Sequence, residues 1–272
     1  MGSNIPEVFA NVSYSSCDYP ICMLKAKLTE SGFFKNLIAS LQTIVDEAVF
    51  NLSPDEMSFR AWDSSRVAMV NCVLPKSTFE NYTCDQPTKV CLSLSEITKF
   101  LKGTKGNEPL EISVERNDLI TLQVAGEYRK VFNISTLAIK DEEEPSLPSL
   151  SFDAKLRITS PCFKRMVEDV ATMSDHIRIK ASENDLTFDG VGDFGNIELT
   201  LVKGSEALLN FEVGKVSSAS YNANILSQIV REASSCSDVV GLEFSTKFPL
   251  KLDFELPQQG QLVYFLAPRV EE

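Results

Sequence analysis

The sequence predicts an α+β protein built as two tandem copies of one unit, each with two helices and many antiparallel strands. Three observations carry this prediction. The first is a repeat. Residues 34–59 (FKNLIASLQTIVDEAVFNLSPDEMSF) lie over residues 163–188 (FKRMVEDVATMSDHIRIKASENDLTF) without a gap, at a constant offset of 129. Phe34 meets Phe163, Asp46 meets Asp175 and Phe59 meets Phe188. The same offset lays SLSEITKFLK (93–102) over NANILSQIVR (222–231), and one residue more lays LITLQV (119–124) over PLKLDF (249–254). A register held over such lengths marks an internal duplication. The second observation is helical periodicity, and the third is alternation of apolar and polar residues between the helices.

Each copy opens with a short strand and then a helix. Phe34, Leu37, Ile38, Leu41, Ile44 and Val45 follow i, i+3, i+4 spacing, as do Phe163, Met166, Val167, Val170 and Met173. Ser160-Pro161 reads as an N-cap followed by proline at the first helical position. Strand-like runs follow: AVFNL, MSFRAW and RVAMVNCVL, then IRIKA, LTFDG and NIELTLV. A second helix comes next in each copy. Ser93 and Glu96 form a capping box ahead of Ile97, Phe100 and Leu101, and Gly103 is placed to end that helix. The strands LEISV, LITLQV and YRKVFNI close one copy; GLEFS, LKLDFEL and QLVYFLA close the other. The seam between them is KDEEEPSLPSL (140–150). The expected organisation is an appendage over 1–22, one unit over 23–139, a connector over 140–150 and a second unit over 151–272.

With 43% hydrophobic and 24% charged residues in 272, the chain has the makings of two substantial cores, neither fibrous nor disordered. No apolar run reaches the roughly 18–20 residues of a membrane span, so no membrane association is expected. Seven scattered cysteines without a CxxC pair suit reduced thiols inside a cell. Residues 1–22 contain no Lys or Arg and no apolar stretch of signal-peptide length. The net charge of −12 repels DNA globally, so any contact with nucleic acid must come from local positive potential.

Motifs of catalysis do not assemble. GVGDFG (190–195) matches G-x-G-x-x-G, but a strand pattern (NIELTLV) follows where a dinucleotide site needs a helix, so it reads as a hairpin. His176 is the only histidine. Asp189 and Asp193 flank a glycine turn, no His/Cys group has zinc spacing, and the acid run Asp141–Glu144 reads as solvated charge. Neither enzyme nor cofactor is expected. The helices' polar faces carry more: Lys35 with Asn36, Ser40 and Thr43; Lys99 and Lys102, with Lys105 beyond; Lys164 and Arg165; and Arg231. Each face alone is ordinary solvated surface, but the duplicated set forms one weakly positive lining. Phosphate contact needs only that, because screening limits reach to about 8 Å at physiological salt.

At WDSSRVAMV (62–70), at KFPLKLDFELPQQGQLVYFLAPRVEE (247–272) and across the duplicated pattern, the chain resembles the sliding clamps of the proliferating cell nuclear antigen (PCNA) type, with archaeal features. The resemblance covers residues 23–272. It implies the DNA-clamp fold: two α+β domains per subunit, helices lining a hole, antiparallel sheets outside, and three subunits closing into a ring around double-stranded DNA. The implied role is processivity for the replicative DNA polymerase and a docking hub for clamp loader, flap endonuclease and ligase through short peptide motifs. A homotrimer is the expected assembly. A subunit of a heterotrimeric or checkpoint clamp is the alternative within the fold, and an enzyme using GVGDFG is the alternative outside it. Location would be cytoplasmic and nucleoid-associated in an archaeon, nuclear in a eukaryote.

Carried over by position, the DNA-facing residues would be Lys35, Lys99, Lys102, Lys164, Arg165 and Arg231, with Glu168 standing where many relatives carry a base. The subunit contact would join the edge strand Arg129, Lys130, Val131, Phe132, Asn133 and Ile134 to that of Asn196, Ile197, Glu198, Leu199, Thr200, Leu201 and Val202. The family's partners carry a glutamine and two aromatics that dock as a helical turn. Their pocket would be Trp62, Val67, Met69, Pro249, Tyr264, Phe265, Ala267 and Pro268, roofed by Ile139, Leu147 and Leu150. From the residues alone, Trp62 reads equally well as core.

Overall fold

Leu24, Ala26 and Leu28 point inward along the first strand, and Ala154, Leu156 and Ile158 repeat that alternation in the second copy. A computed structural model describes residues 22–115, 119–139, 146, 147 and 150–269. The expected appendage and most of the connector, including Asp141–Glu144 and both prolines, lie outside the described residues.

The first copy comprises β1 (Cys22–Leu28), α1 (Ser31–Gln42), β2 (Glu47–Leu52), β3 (Glu56–Trp62), β4 (Ala68–Pro75), β5 (Asn81–Cys84), β6 (Thr88–Ser93), α2 (Leu94–Lys102), β7 (Leu110–Glu115), β8 (Leu119–Ala125) and β9 (Arg129–Ser135). The second repeats the order: β10 (Ala154–Thr159), α3 (Ser160–Ala171), β11 (His176–Ala181), β12 (Asp185–Gly192), β13 (Gly195–Val202), β14 (Leu208–Val213), β15 (Ser217–Asn222), α4 (Ala223–Ala233), β16 (Val239–Phe244), β17 (Leu250–Glu255) and β18 (Gln261–Leu266).

All named strand pairs are antiparallel. They form three sheets: a five-stranded one in the order β5-β1-β7-β8-β9, a four-stranded one in the order β13-β12-β11-β15, and a nine-stranded one in the order β14-β10-β16-β17-β18-β4-β3-β2-β6. The largest crosses from one copy to the other at β18 and β4. Behind that junction α1 packs on α4, with Asn36 Nδ2 donating to the Ser235 carbonyl at 3.1 Å. The core lies between helices and sheets; Phe34, Leu37, Ile38 and Leu41 of α1 and Phe163, Val167 and Val170 of α3 are all buried in it.

Side-chain caps explain two of the four named helix starts, those of α2 and α4. The Ser93 hydroxyl accepts from Glu96 N, and the Asn222 amide oxygen accepts from Ile225 N at 2.9 Å. At α3 the expected cap is displaced. Thr159 holds the N-cap position, Ser160 is already helical, its N–H is taken by the Asp238 carbonyl at 2.8 Å, and its buried hydroxyl has no partner among the described residues. Met173 departs from its predicted stripe: α3 ends at Ala171, and Met173 is exposed.

GVGDFG is the β12–β13 turn, with Gly192 paired to Gly195. A Cβ on Gly192 would stand 1.9 Å from the Met173 carbonyl oxygen, and one on Gly190 would stand 2.7 Å from Val170 Cγ1. Those two glycines let the hairpin press against the end of α3, which is a packing role and not a pyrophosphate cradle.

Candidate functional site

Strand alternation and ladder register place one apolar row on the outer face of the nine-stranded sheet. Trp62 lies opposite Met69, Met69 opposite Phe265, and Phe265 opposite Lys251. Met69, Val263 and Phe265 form a cluster separate from the main core, with Leu150 packed on it. Trp62, opposite Met69, is 38% exposed, and Ile139 and Leu147 of the segment leading to Leu150 are 45% and 47% exposed. Val67, Pro249, Ala267 and Pro268 are half-buried at one end of the row.

The loop before β4 is held by one carboxylate. Asp63 accepts the backbone N–H of Ser65 at 3.2 Å and those of Val67 and Ala68 at 2.7 Å each, together with the Ser65 hydroxyl. Arg66 takes φ 57° in this tight turn, and the shaped loop lets the Ala267 N–H donate to the Val67 carbonyl at 2.8 Å. Partial burial works against the Asp63 charge, but the hydrogen bonds from Ser65, Ala68 and Val67 outweigh it and hold the pKa below the usual carboxylate value.

Tyr264 is a correction. It is 0% exposed, belongs to the main core, and its hydroxyl donates to the Ser40 carbonyl of α1 at 2.8 Å. Adjacent residues of a strand face opposite ways, so Phe265 and Tyr264 cannot both line the outer pocket. Val263, two residues from Phe265, takes the place that the sequence reading gave to Tyr264. Alternation counted from Phe265 would have found it. Phe248, next to Pro249 in the chain, is also a large exposed apolar side chain.

On the helices, Lys99 pairs with Glu96 at 2.6 Å, Arg231 with Glu232 at 3.0 Å, and Lys164 weakly with Glu168 at 4.0 Å. Lys35, Lys102 and Arg165 have no carboxylate partner among the described residues. The four helices carry six bases and four acids, a net +2, against −12 for the chain. The positive potential is therefore local and mild. No group of His, Cys, Asp or Glu among the described residues has the arrangement to hold a metal.

The N-terminal-domain model of the proliferating cell nuclear antigen matches residues 23–143, and the C-terminal-domain model matches residues 146–269. The chain belongs to the PCNA family. A DNA polymerase sliding clamp of Thermofilum pendens is 34% identical over 92% of this chain and 100% of its own length. DNA polymerase sliding clamp 1 of Thermococcus kodakarensis is 30% identical over 88% of this chain and 95% of its own. A crystal structure of PCNA from Thermococcus kodakaraensis superposes with a TM-score of 0.85 at 25% identity, covering 90% of this chain and 100% of that one. The PCNA of Entamoeba histolytica shares the fold with the same score at 24% identity, over 92% of this chain and 100% of its own. Membership makes this a non-enzymatic processivity clamp with the α+β clamp fold.

Within this PCNA-family chain the two strands singled out for subunit contact are both sheet edges. β9 ends the five-stranded sheet and β13 ends the four-stranded one. On β9, Val131 is exposed and Phe132 is half-buried, stacked on Phe100 with ring centres 5.2 Å apart; Arg129 is held by Gln123 and Asn133 by Thr121. Lys130 lies over the Phe100 ring at 4.5 Å and donates to its carbonyl, in space that Gly103 leaves by lacking a side chain. On β13, Ile197, Leu199 and Leu201 face the helix layer yet stay half-buried, while Asn196, Glu198, Thr200 and Val202 are exposed. Both strands therefore present an open edge beside partly covered apolar side chains.

Proposed function

We propose that this chain closes with two further copies into a ring that encircles duplex DNA, each copy's β9 adding to the next copy's β13, and that the outer apolar row receives peptide motifs of replication and repair proteins. The observation that carries the ring is internal. Joining the five-stranded and four-stranded sheets through β9 and β13 gives a nine-stranded sheet with the same element order as the one already inside the chain. The internal junction of β18 with β4 is then the template for the external one.

The template supplies a register. Tyr264 pairs Leu252 as Phe132 pairs Leu122, and Val70 pairs Ala61 as Ile197 pairs Gly190. Because Tyr264 lies opposite Val70, Phe132 should lie opposite Ile197 of the next copy, and Asn133 opposite Asn196. Mild net charge on the helices supports a clamp held by topology: strong phosphate neutralisation would make binding steeply salt-dependent and impede sliding. The apolar row with Leu150 packed against it supports the docking role, and Ile139 and Leu147 are further exposed apolar side chains of the segment leading to Leu150.

Light scattering after gel filtration tests assembly. A mass near three chains is expected; a single-chain mass at micromolar concentration, turning to a ring only with sister chains, would replace the homotrimer with the heteromeric clamp. Asn133→Cys with Asn196→Cys should then crosslink neighbouring subunits on oxidation, and Asn133→Cys with Ile197→Cys should not. Equal crosslinking by both pairs would overturn the register.

A further inference from the structure

The outer face of the four-stranded sheet is divided by charge. Strand alternation puts His176, Arg178 and Lys180 of β11 on that face, because Ile177 and Ile179 between them are fully buried. Its acids, Asp185, Asp189 and Glu198, stand on β12 and β13; Asp189 takes Arg178 at 3.2 Å. Asp175 and Glu183 stand in the turns at the two ends of β11. On the other side of β11 lies β15, whose Ser218 pairs with Lys180 and whose Ser220 pairs with Arg178. Two short pieces of chain then meet the outer edge of β15. The Lys247 N–H donates to the Ser218 carbonyl at 3.2 Å, and the Arg269 N–H to the Ser220 carbonyl at 2.7 Å. Arg269 reaches over the same face, where its Nη1 donates to His176 Nδ1 at 2.6 Å. Each of these serines is thus flanked by two bases, Ser218 by Lys180 and Lys247, Ser220 by Arg178 and Arg269, and all four bases are exposed. Lys180, Lys247 and Arg269 have no carboxylate partner among the described residues. On a chain of net charge −12 this is a local concentration of uncompensated positive charge.

We propose that this array receives an acidic segment of a partner protein in extended form, with carboxylates two residues apart. On one side of an extended strand such carboxylates repeat about every 6.8 Å, which is also the spacing from Arg178 to Lys180 along β11. Across the array the bases stand about two strand spacings apart, roughly 10 Å. One segment running along β15 therefore lies between both flanks, over Ser218 and Ser220. The charges are complementary, and an exposed contact of this kind is sensitive to salt. The strands bring no Phe, Tyr or Trp to this face on which bases could stack, which favours a peptide over single-stranded nucleic acid. The inference depends on neither the ring nor the outer apolar row.

The test is fluorescence anisotropy on the full chain with labelled synthetic peptides at low salt. The probes are an alternating Glu-Thr repeat, a block isomer of the same composition with its glutamates in one run, and the alternating repeat with Gln for Glu. The alternating acidic peptide should bind most tightly. Lys180→Gln with Lys247→Gln should weaken it about fivefold, with particle mass and melting midpoint unchanged. Lys76→Gln with Lys155→Gln removes the same charge elsewhere on the surface and should leave the affinity as it was. Equal losses from the two pairs, or equal binding of the alternating and block peptides, would reduce the array to bulk charge attraction and overturn the inference. An oligothymidylate that binds more tightly than the peptide, and is weakened by Lys180→Gln with Lys247→Gln, would overturn the peptide and assign the array to single-stranded DNA.

Discussion

Tyr264 and Phe265 are neighbours in sequence but face opposite layers, so replacing each should separate stability from docking. Tyr264→Phe removes a single buried hydrogen bond, the 2.8 Å contact with the Ser40 carbonyl. That carbonyl keeps the Thr43 hydroxyl at 2.7 Å, so no acceptor is stranded and the loss is about 1 kcal/mol. For a chain of this size that lowers the melting midpoint by roughly 2–4 °C at fixed protein concentration. Peptide affinity should stay within twofold, because the lost hydroxyl points at α1. Phe265→Ala empties the cluster of Met69, Val263 and Leu150. Its stability cost should be about 2–4 kcal/mol, below a full core truncation because one side of the cluster faces outward. Peptide affinity should fall at least about tenfold. The assays are thermal denaturation by circular dichroism and peptide anisotropy on the same samples. If Tyr264→Phe weakened the peptide as much as Phe265→Ala does, the assignment of faces would be refuted.

Asp63→Ala frees three backbone donors in the loop before β4 and should cost about 2 kcal/mol, with weaker peptide binding. Because the folded state depresses the Asp63 pKa, its stabilisation is present above the unfolded value near 3.9 and is lost as pH falls through the folded one. The gap between parent and Asp63→Ala in acid melts should therefore narrow as pH falls below about 4 and close only below the folded pKa; a gap that stayed constant over that fall would contradict the linkage. Phe132→Lys places a charge on the open β9 face and should give single-chain mass by light scattering with unchanged circular dichroism; a retained three-chain mass would count against that edge. Lys35→Gln with Lys102→Gln should weaken binding to short linear duplexes and flatten the salt dependence by a slope of about 1.8, since neither base has an acid partner among the described residues. Lys99→Gln should do less, because Glu96 already holds Lys99; equal effects would put the charge accounting in error.

The duplication made most of the fold legible, because helical stripes at Phe34 and Phe163 each bury one face and leave the other polar. Where burial is two-sided, the pattern fails. LVYFL of β18 is apolar throughout, since one face meets α1 and the other meets Met69 and Leu150, so periodicity could not tell Tyr264 from Phe265. Ser160 was misread for a different reason. A hydroxyl before proline looks like a cap, but the Asp238 carbonyl had claimed its N–H and tertiary packing buried the side chain. The pairing of lysines with acids three or four residues along a helix could be read in the sequence as spacing; which pairs close, and how tightly, depends on rotamers that spacing does not determine. The openness of β9 and β13 was legible only through the family, because an edge strand differs from a central one by its neighbours.

The internal junction of β18 and β4 has a further consequence for how such a ring behaves on dilution. Two surfaces tethered within one chain meet at an effective concentration in the millimolar range, so that junction stays shut however little protein is present. The matching contact proposed between chains would have no tether, and Phe132 lacks the hydroxyl through which Tyr264 grips the helix layer. In the proposed ring, half of the junctions would therefore be permanent and half would answer to protein concentration, and the reversible ones would be where the circle parts.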